Sequence, residues 1–594
     1  MISVLVRGAV YAMALATVPV QAVSVKNESG SVEGAFDSTL TVGFGKRLQG
    51  QNCALVGDPS VCGANANTAQ WSAGDNGDLN YNKGDIFSAY LKGTHELLLS
   101  MPEEKIKFMA RASWMKDFKA DDTRRTDLSD SARDQVVDDV RLLDLWVSKE
   151  VRVGEQNARI RFGNQVINWG ESLYGIGGLN VTNALDLQRL MVPGTQIKEA
   201  VLPAPMLSVA SGLGNGLNME AYYQFRWNRN RVPPVGSYFS VADFYDRGRE
   251  PVSYMGTNYN QTALDPAAVS HSRNPPGADV LATLSPDFWM PVLADRTPKN
   301  NGQYGLALHY KPHGSVVDLG FYVLNYHDKS PVLNIVNSGT AFQWQFLEDR
   351  KMYGVSTNFP LGNWAVGAEL SYRPRDAVSL SGCFVSGGAL DANTNGAVVS
   401  ACPLWADNKK YQLHVTSQLQ LTPGDHKPVL DFLGADAGFV TAELVAINYP
   451  GIGPNTRITR VIDGVTVDQV PAAGYLTFLD RSDPANPIAK GGGTATSFGY
   501  VLDFNWTYDG TVIDGWQLTP GATLSHSVKG DTPNFTANYL AGAKSANFYL
   551  LFNQNPIKWQ AGINLTTYFG GKSDPMRQVY KDRRFIGGFV SYSF

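Results

Sequence analysis

Three groups of residues have the types that chemistry requires. His327 stands beside Asp328 and Ser330, His414 lies just before Ser417, and His95 adjoins Glu96. The first two sets carry elements of a hydrolase triad, and the third the start of a zinc-binding helix. Neither serine sits in a nucleophile elbow, and His95-Glu96 lacks the second histidine of a metalloprotease helix. With only eight histidines in 594 residues, such neighbours are what chance supplies. No enzymatic role, metal or cofactor is expected.

Charge forms the second group. Lys105, Lys107, Arg111, Arg152, Arg159 and Arg161 follow one another closely, with Asp144 and Glu150 among them and Glu220 and Glu369 further on. A basic ladder along a pore wall draws carboxylates and other anions, as charged rings do in channels. The same mixture of signs also suits salt bridges within the wall, each worth little where water reaches it. Both readings stay open. The third group is four cysteines in two close pairs, Cys53 with Cys62 and Cys383 with Cys402. Neither pair has metal-ligand spacing, so each reads as a disulfide stapling one loop.

The elements that position these residues are strands. The chain ends on Phe594, and stepping back by twos gives Tyr592, Val590, Gly588 and Ile586, while Phe585, Phe589 and Ser591 occupy the other face. An alternating C-terminal strand that finishes on an aromatic is what the closing strand of an outer-membrane barrel looks like. The period of two recurs along Ile106 to Trp114, Met219 to Trp227, Trp364 to Tyr372, Phe498 to Trp506 and Trp559 to Leu565. Short turns, such as Gly154-Glu155-Gln156-Asn157 and Gly214-Asn215-Gly216, alternate with long polar segments, such as 48–85, 229–302, 374–408 and 449–496. In a bacterial barrel both termini are periplasmic, which puts the short turns on that side and the long loops, with both cysteine pairs, outside.

Composition agrees. The chain carries 18% charged residues, 11% aromatics and a net charge of −4. That balance offers no basic face for nucleic acid. Residues 1–22 combine a positive start, an apolar stretch and a small-residue site ending at Ala22, and read as a signal peptide. No other apolar run is long enough for a membrane helix. The fold expected over 23–594 is an all-β transmembrane antiparallel β-barrel of about 18 strands, with 16 as the alternative count, having long outer loops and an inward-folded segment. Strands start almost at once at Gly34, leaving no room for an N-terminal plug domain.

The segment expected to fold into the lumen or across its mouth is Trp169 to Pro205; the alternative is that it packs on neighbouring loops outside the pore. After Trp169-Gly170-Glu171 and a glycine-rich stretch through Asn180 to Asn183, a short helix is predicted over Ala184 to Met191, with Asn183 as its N-cap and Pro193-Gly194 as its stop. Leu185, Leu187, Leu190 and Met191 are too apolar for a free surface loop and need cover. Trp169, Glu171, Asn180, Asn183 and these four are therefore the expected constriction, a greasy gate.

The runs Phe36-Asp37-Ser38-Thr39-Leu40, Asn168-Trp169-Gly170-Glu171, Gly177-Gly178-Leu179-Asn180-Val181, Val192-Pro193-Gly194, Leu202-Pro203-Ala204-Pro205-Met206, Tyr222-Tyr223-Gln224-Phe225 and Pro234-Val235-Gly236-Ser237-Tyr238-Phe239-Ser240 resemble a proteobacterial outer-membrane family, the domain of unknown function numbered thirteen-oh-two. The resemblance covers nearly the whole mature chain and is densest from Ile160 to Ser240. It implies the outer membrane of a Gram-negative bacterium, uptake or movement of hydrophobic compounds, and envelope lipid-export partners. It transfers no catalytic residue. The expected function is thus a channel for small hydrophobic or amphipathic molecules in contact with outer-membrane lipid; the alternative is a non-conducting docking component of an envelope export machine.

Overall fold

Polar and apolar residues alternate along the strands with the apolar set outward, the inverse of a soluble sheet packed on a core. The computed structural model describes residues 23–27, 30–53, 55–56, 59–62, 76–250, 252–253, 289–339, 341–386, 399–474, 478–480, 488–490, 492–556, 558–571 and 578–594. The signal peptide expected over residues 1–22 lies outside them.

Eighteen wall strands follow in chain order. They are β1 Glu33–Arg47, β2 Ile86–Met101, β3 Ile106–Asp117, β4 Asp138–Val153, β5 Gln156–Gln165 and β6 Ala204–Gly214. The middle third is β7 Leu217–Gln224, β8 Gln303–Tyr310, β9 Asp318–Tyr326, β10 Arg350–Leu361, β11 Trp364–Ser379 and β12 Trp405–Leu421. The wall ends with β13 Ala437–Asn448, β14 Thr496–Asp509, β15 Trp516–Lys529, β16 Ala543–Gln554, β17 Trp559–Gly570 and β18 Phe585–Ser593. Each pairs antiparallel with the next, and β18 closes on β1 from Thr39↔Ser593 to Arg47↔Phe585. A further short strand, Val23–Lys26, pairs with the foot of β1 below that seam. The count is therefore 18 rather than 16.

The phase read from Phe594 holds. Val590 and Phe594 are exposed on the outer face, as are Leu145, Phe162, Tyr223, Leu370 and Leu502. Thr41, Lys92, Glu369, His414, Glu443 and Ser591 are buried on the inner face. An apolar exterior on a closed barrel leaves no unpaired backbone toward lipid at most of the wall, as a bilayer demands. Short connections lie on the side of the termini and long ones opposite. On the terminal side one connection is longer, with a helix at Lys427–Leu433. Both disulfides form in outer loops, Cys53 to Cys62 and Cys383 to Cys402.

Two expectations need correction. Ala184 to Met191 is not a helix: Ala184–Leu185 is extended and pairs with Val201–Leu202, and only Arg189–Met191 makes a 3-10 turn. Lys105 is not in the wall; it sits in the β2–β3 turn with φ of 54°.

Candidate functional site

Inside the barrel, the chain between β5 and β6 leaves the wall at Val166, crosses the lumen and returns at Ala204. It is held first by aromatic packing. Trp169 is buried, its ring centroid 5.2 Å from Tyr222 and 5.9 Å from Tyr322, and its indole N–H donates to Glu220 Oε2 at 2.8 Å. Asn180 Oδ1 accepts the Trp169 backbone N–H at 3.1 Å. Asn183 does not cap a helix; its side-chain amide bonds both backbone groups of Ile167, accepting N–H at 3.0 Å and donating to the carbonyl at 2.5 Å.

On the opposite wall, two buried carboxylates receive the segment's backbone. Glu369 on β11 accepts the N–H of Glu171 at 2.7 Å and of Leu179 at 3.0 Å. Glu443 on β13 accepts the N–H of Tyr174 at 2.5 Å and of Gly175 at 2.9 Å. His414 on β12 lies between them, with Nδ1 2.7 Å from Glu443 Oε1 and Nε2 3.9 Å from Glu369 Oε1. Arg373 Nη2 donates to the Gly178 carbonyl at 3.0 Å, and Gln412 Nε2 to that of Ile176 at 2.9 Å. Hydrogen bonds to charged acceptors contribute about 1.5–3 kcal/mol each, so this group is a strong anchor. It also explains the glycines. A Cβ on Gly178, at φ of +61°, would stand 2.0 Å from Glu369 Oε1, and one on Gly170, at φ of +91°, would stand 2.2 Å from Glu369 Oε2. Glu171 itself takes a bond from Asn358 Nδ2 at 3.0 Å.

The return limb packs on β1, β2 and β18. Tyr90 bonds the Pro193 carbonyl, and Lys92 Nζ reaches Gly194 O at 2.8 Å and Glu199 Oε2 at 2.7 Å. Pro193 lies over Gly587, where a Cβ would come within 2.6 Å of its Cγ. Leu187, Leu190 and Met191 are buried against Tyr81, Phe87, Tyr238, Phe239 and Phe585. Burial of each such side chain is worth about 1.5–3 kcal/mol. Leu187 and Met191 therefore face packed core rather than a passage, while Leu185 and Leu190 also border a cavity.

That cavity, about 620 Å³, lies in the lumen between the segment and the wall. Its apolar lining includes Ile176, Val181, Leu185 and Phe535, and its charged lining includes Arg111, Asp144, Lys198, Asp328, Lys329, Arg373, Asp376 and Lys410. Lys329, in the connection after β9, is pushed down to about 7 by burial, against the opposing pull of Asp328. Asp328 is pushed up to about 6 by burial, against the Arg350 guanidinium.

The basic ladder is partly neutralised. Arg111 pairs with Glu96 at 3.0 Å and Asp144 at 2.5 Å, and Glu96 also pairs with Lys198 of the segment. Arg159 stands opposite Glu150 in register, and Arg161 lies over the Trp146 ring at 4.2 Å. Lys107 and Arg161 share one cross-strand row through Ser148, and Arg152 sits low on β4, its Nε 3.2 Å from the Gly154 carbonyl. The described residues thus give salt bridges at Arg111, while nearer the short-turn end Lys107, Arg152, Arg159 and Arg161 make no ion pair among the described residues, Arg159 standing opposite Glu150 in register. The histidine sets of the sequence do not assemble: His327 binds backbone at Asn301 and Asp349, and His95 bonds Ser38 and Trp114. Sequence reasoning missed Glu443, His414, Gln412 and Arg373 as anchors; the run of glycines at 170, 175, 177 and 178 was the available signal.

A closed, lipid-faced 18-strand barrel with long outer loops and a filled lumen is a porin-like outer-membrane protein. The chain belongs to the DUF1302 family, a protein family of unknown function, whose pattern matches residues 4–594. No curated protein matches it. Among solved structures it is similar to the Pseudomonas aeruginosa protein OccD3 (OpdP), with 10% identity, 99% of this chain and 98% of that chain covered, and a TM-score of 0.39. It is similar to Pseudomonas aeruginosa OccK1 (OpdK), with 10% identity, coverage of 94% and 98%, and a TM-score of 0.37. It is also similar to the outer membrane channel DcaP of Acinetobacter baumannii, with 9% identity, coverage of 96% and 99%, and a TM-score of 0.32.

Proposed function

We propose that the protein is an outer-membrane channel for small amphipathic molecules, with Trp169 to Pro205 as its constriction. The lumenal cavity carries this reading. Its volume, about 620 Å³, lies in the range of about 300–1,000 Å³ typical of small-molecule sites. Its walls pair an apolar side with a charged one on which Arg373 and Lys410 share the Asp376 carboxylate and Lys329 adjoins Asp328, chemistry that suits a molecule with an apolar body and a polar or anionic group able to compete for those cations. Transport would be passive, because a cargo that binds such walls weakly can also leave. The experiment is conductance of purified protein in planar bilayers, with block by an aromatic carboxylate. A silent barrel overturns the reading.

A specific observation favours a second role, docking of a periplasmic partner. Phe432 in the helix Lys427–Leu433 is 88% exposed, and Val429, Val512 and Ile513 near it are exposed too. The helix is tied to the next turn by Tyr508 Oη, which donates to Leu433 O at 2.9 Å. Exposed apolar clusters of this kind mark interaction sites. Loss of copurifying periplasmic protein on Phe432→Ser tests it; unchanged copurification counts against it.

A further inference from the structure

The barrel wall is incomplete at one place. β4 pairs with β3 through its whole upper half, from Ala112↔Leu142 to Lys116↔Asp138. With β5 it pairs only from Leu145↔Asn164 downward, because β5 ends at Gln165 where the chain turns inward. β6 begins at Ala204, paired with that same Gln165. Among the described residues, the edge of β4 from Asp138 to Asp144 has no strand beside it on the β5 side. The carbonyl of Leu143 is met instead by Asn164 Nδ2 at 2.6 Å. Val140 is 82% exposed and Leu142 57%.

An open sheet edge is not tolerated against hydrocarbon, since its N–H and C=O groups would go unbonded. This edge borders a cleft of about 1200 Å³ lined by Val140, Asn164, Pro203 and Arg226, with Arg229 and Arg231 in it already paired to the carboxylates of Asp246, Asp295 and Asp139. Trp114, opposite Val140 on β3, Tyr223 at the outer end of β7 and Phe225 just beyond it flank the edge, as aromatic residues flank a lipid interface. The gap lies at the outer end of the wall, in the row of these aromatic residues.

A single layer of chain separates the cleft from the lumenal cavity. Leu202, Arg229 and Arg231 line the cleft, while their neighbours Val201 and Asn230 line the cavity. The partition is the pair Ala184–Leu185 and Val201–Leu202, continued by Arg231, whose N–H donates to Leu185 O at 2.9 Å. It is latched to the open strand by charge: Asp139 pairs with Arg189 at 2.6 Å and with Arg231 at 3.4 Å, and Arg141 pairs with Asp186 at 2.6 Å. These ion pairs are almost fully buried, and the partition runs on into the apolar packing of Leu187, Leu190 and Met191, so parting it requires water or a charged group to replace the broken pairs.

We propose that this gap is a side door, through which amphiphiles with an anionic head and an apolar tail pass between the lumenal cavity and the outer leaflet. The inference rests on the channel reading above. The tail would lie along Val140, Leu202 and Pro203. The head would meet Arg226, an exposed guanidinium suited to carboxylate. Passage would break the Arg231 contacts and part the two short strands.

The test adds bulk after folding. The four natural cysteines are all disulfide-bonded, so Asn164→Cys supplies one free thiol that a large maleimide can cap on the purified protein. A second variant, Val140→Trp, fills the cleft genetically. Both are reconstituted and read by ion conductance and by transfer of a fluorescent long-chain carboxylate from the membrane to the vesicle lumen. The expected result is transfer reduced by about tenfold or more with conductance unchanged, since the axial path is untouched. Unchanged transfer after capping, or a parallel fall of transfer and conductance, overturns the side door. Wild-type protein that conducts yet never moves the long-chain carboxylate also overturns it and leaves the channel reading standing. Wild-type protein that does neither removes both.

Discussion

Glu369 accepts the backbone N–H of Leu179 at 3.0 Å across 190 positions of sequence, fixing the lumenal segment to the far wall of the barrel. Because the same carboxylate also holds Glu171, removing it strands two buried donors, at about 1–3 kcal/mol each. Glu369→Ala is expected to loosen the segment, raising single-channel conductance and its noise. Glu369→Gln, which keeps one acceptor oxygen, should fall between. Equal traces for all three proteins in planar bilayers would separate the segment from the constriction.

Gly178→Ala tests the same contact sterically. Its Cβ would collide with Glu369 and its φ of +61° is strained for any side chain. Gly154, at φ of +60° in a periplasmic turn with open space around it, is the control for strain alone. Protease sensitivity of the lumenal segment should rise for Gly178→Ala and stay near wild type for Gly154→Ala.

The charge at the cavity should respond to pH. Asp328, at about 6, passes from neutral to negative as pH rises, and Lys329, at about 7, passes from positive to neutral. Both changes have the same sign, so between about pH 5 and pH 8 the cavity becomes more negative by about two charges. Anion-over-cation selectivity, read from reversal potentials, should decline across that interval. Lys329→Met should remove the part of the decline centred on the higher pH.

Reduction of the two disulfides should leave conductance intact, since both bridges lie in outer loops and none of the four cysteines lines the cavity. Cys383 and Cys402 close a loop with a sequence separation of 19, for which cross-linking contributes about 3 kcal/mol against the unfolded chain. Faster proteolysis of the outer loops after reduction, with unchanged current, is the expected result.

The barrel was legible because lipid and lumen impose a period of two on each strand, and Phe594 supplied its phase. Burial of Leu187, Leu190 and Met191 was legible as well, since apolar residues need cover whatever their backbone does. Their conformation was not. Spacings at 185, 187, 190 and 191 suit a helix, yet the backbone of Leu185 is bonded to Asn230 Oδ1 and to Arg231, residues contributed by a distant loop. Likewise Glu443 and His414 look like ordinary wall residues until the glycine-rich stretch is brought against them. Local pattern carries no information about such partners.

The central claim is a conducting lumen narrowed by the inserted segment. Single-channel recording of the wild-type protein in a planar bilayer, with and without an aromatic carboxylate, tests it most directly. The predicted result is a small steady current that the carboxylate interrupts, with interruptions shortened by Lys329→Met. An absence of current, or a large current indifferent to both carboxylate and Lys329→Met, would contradict it.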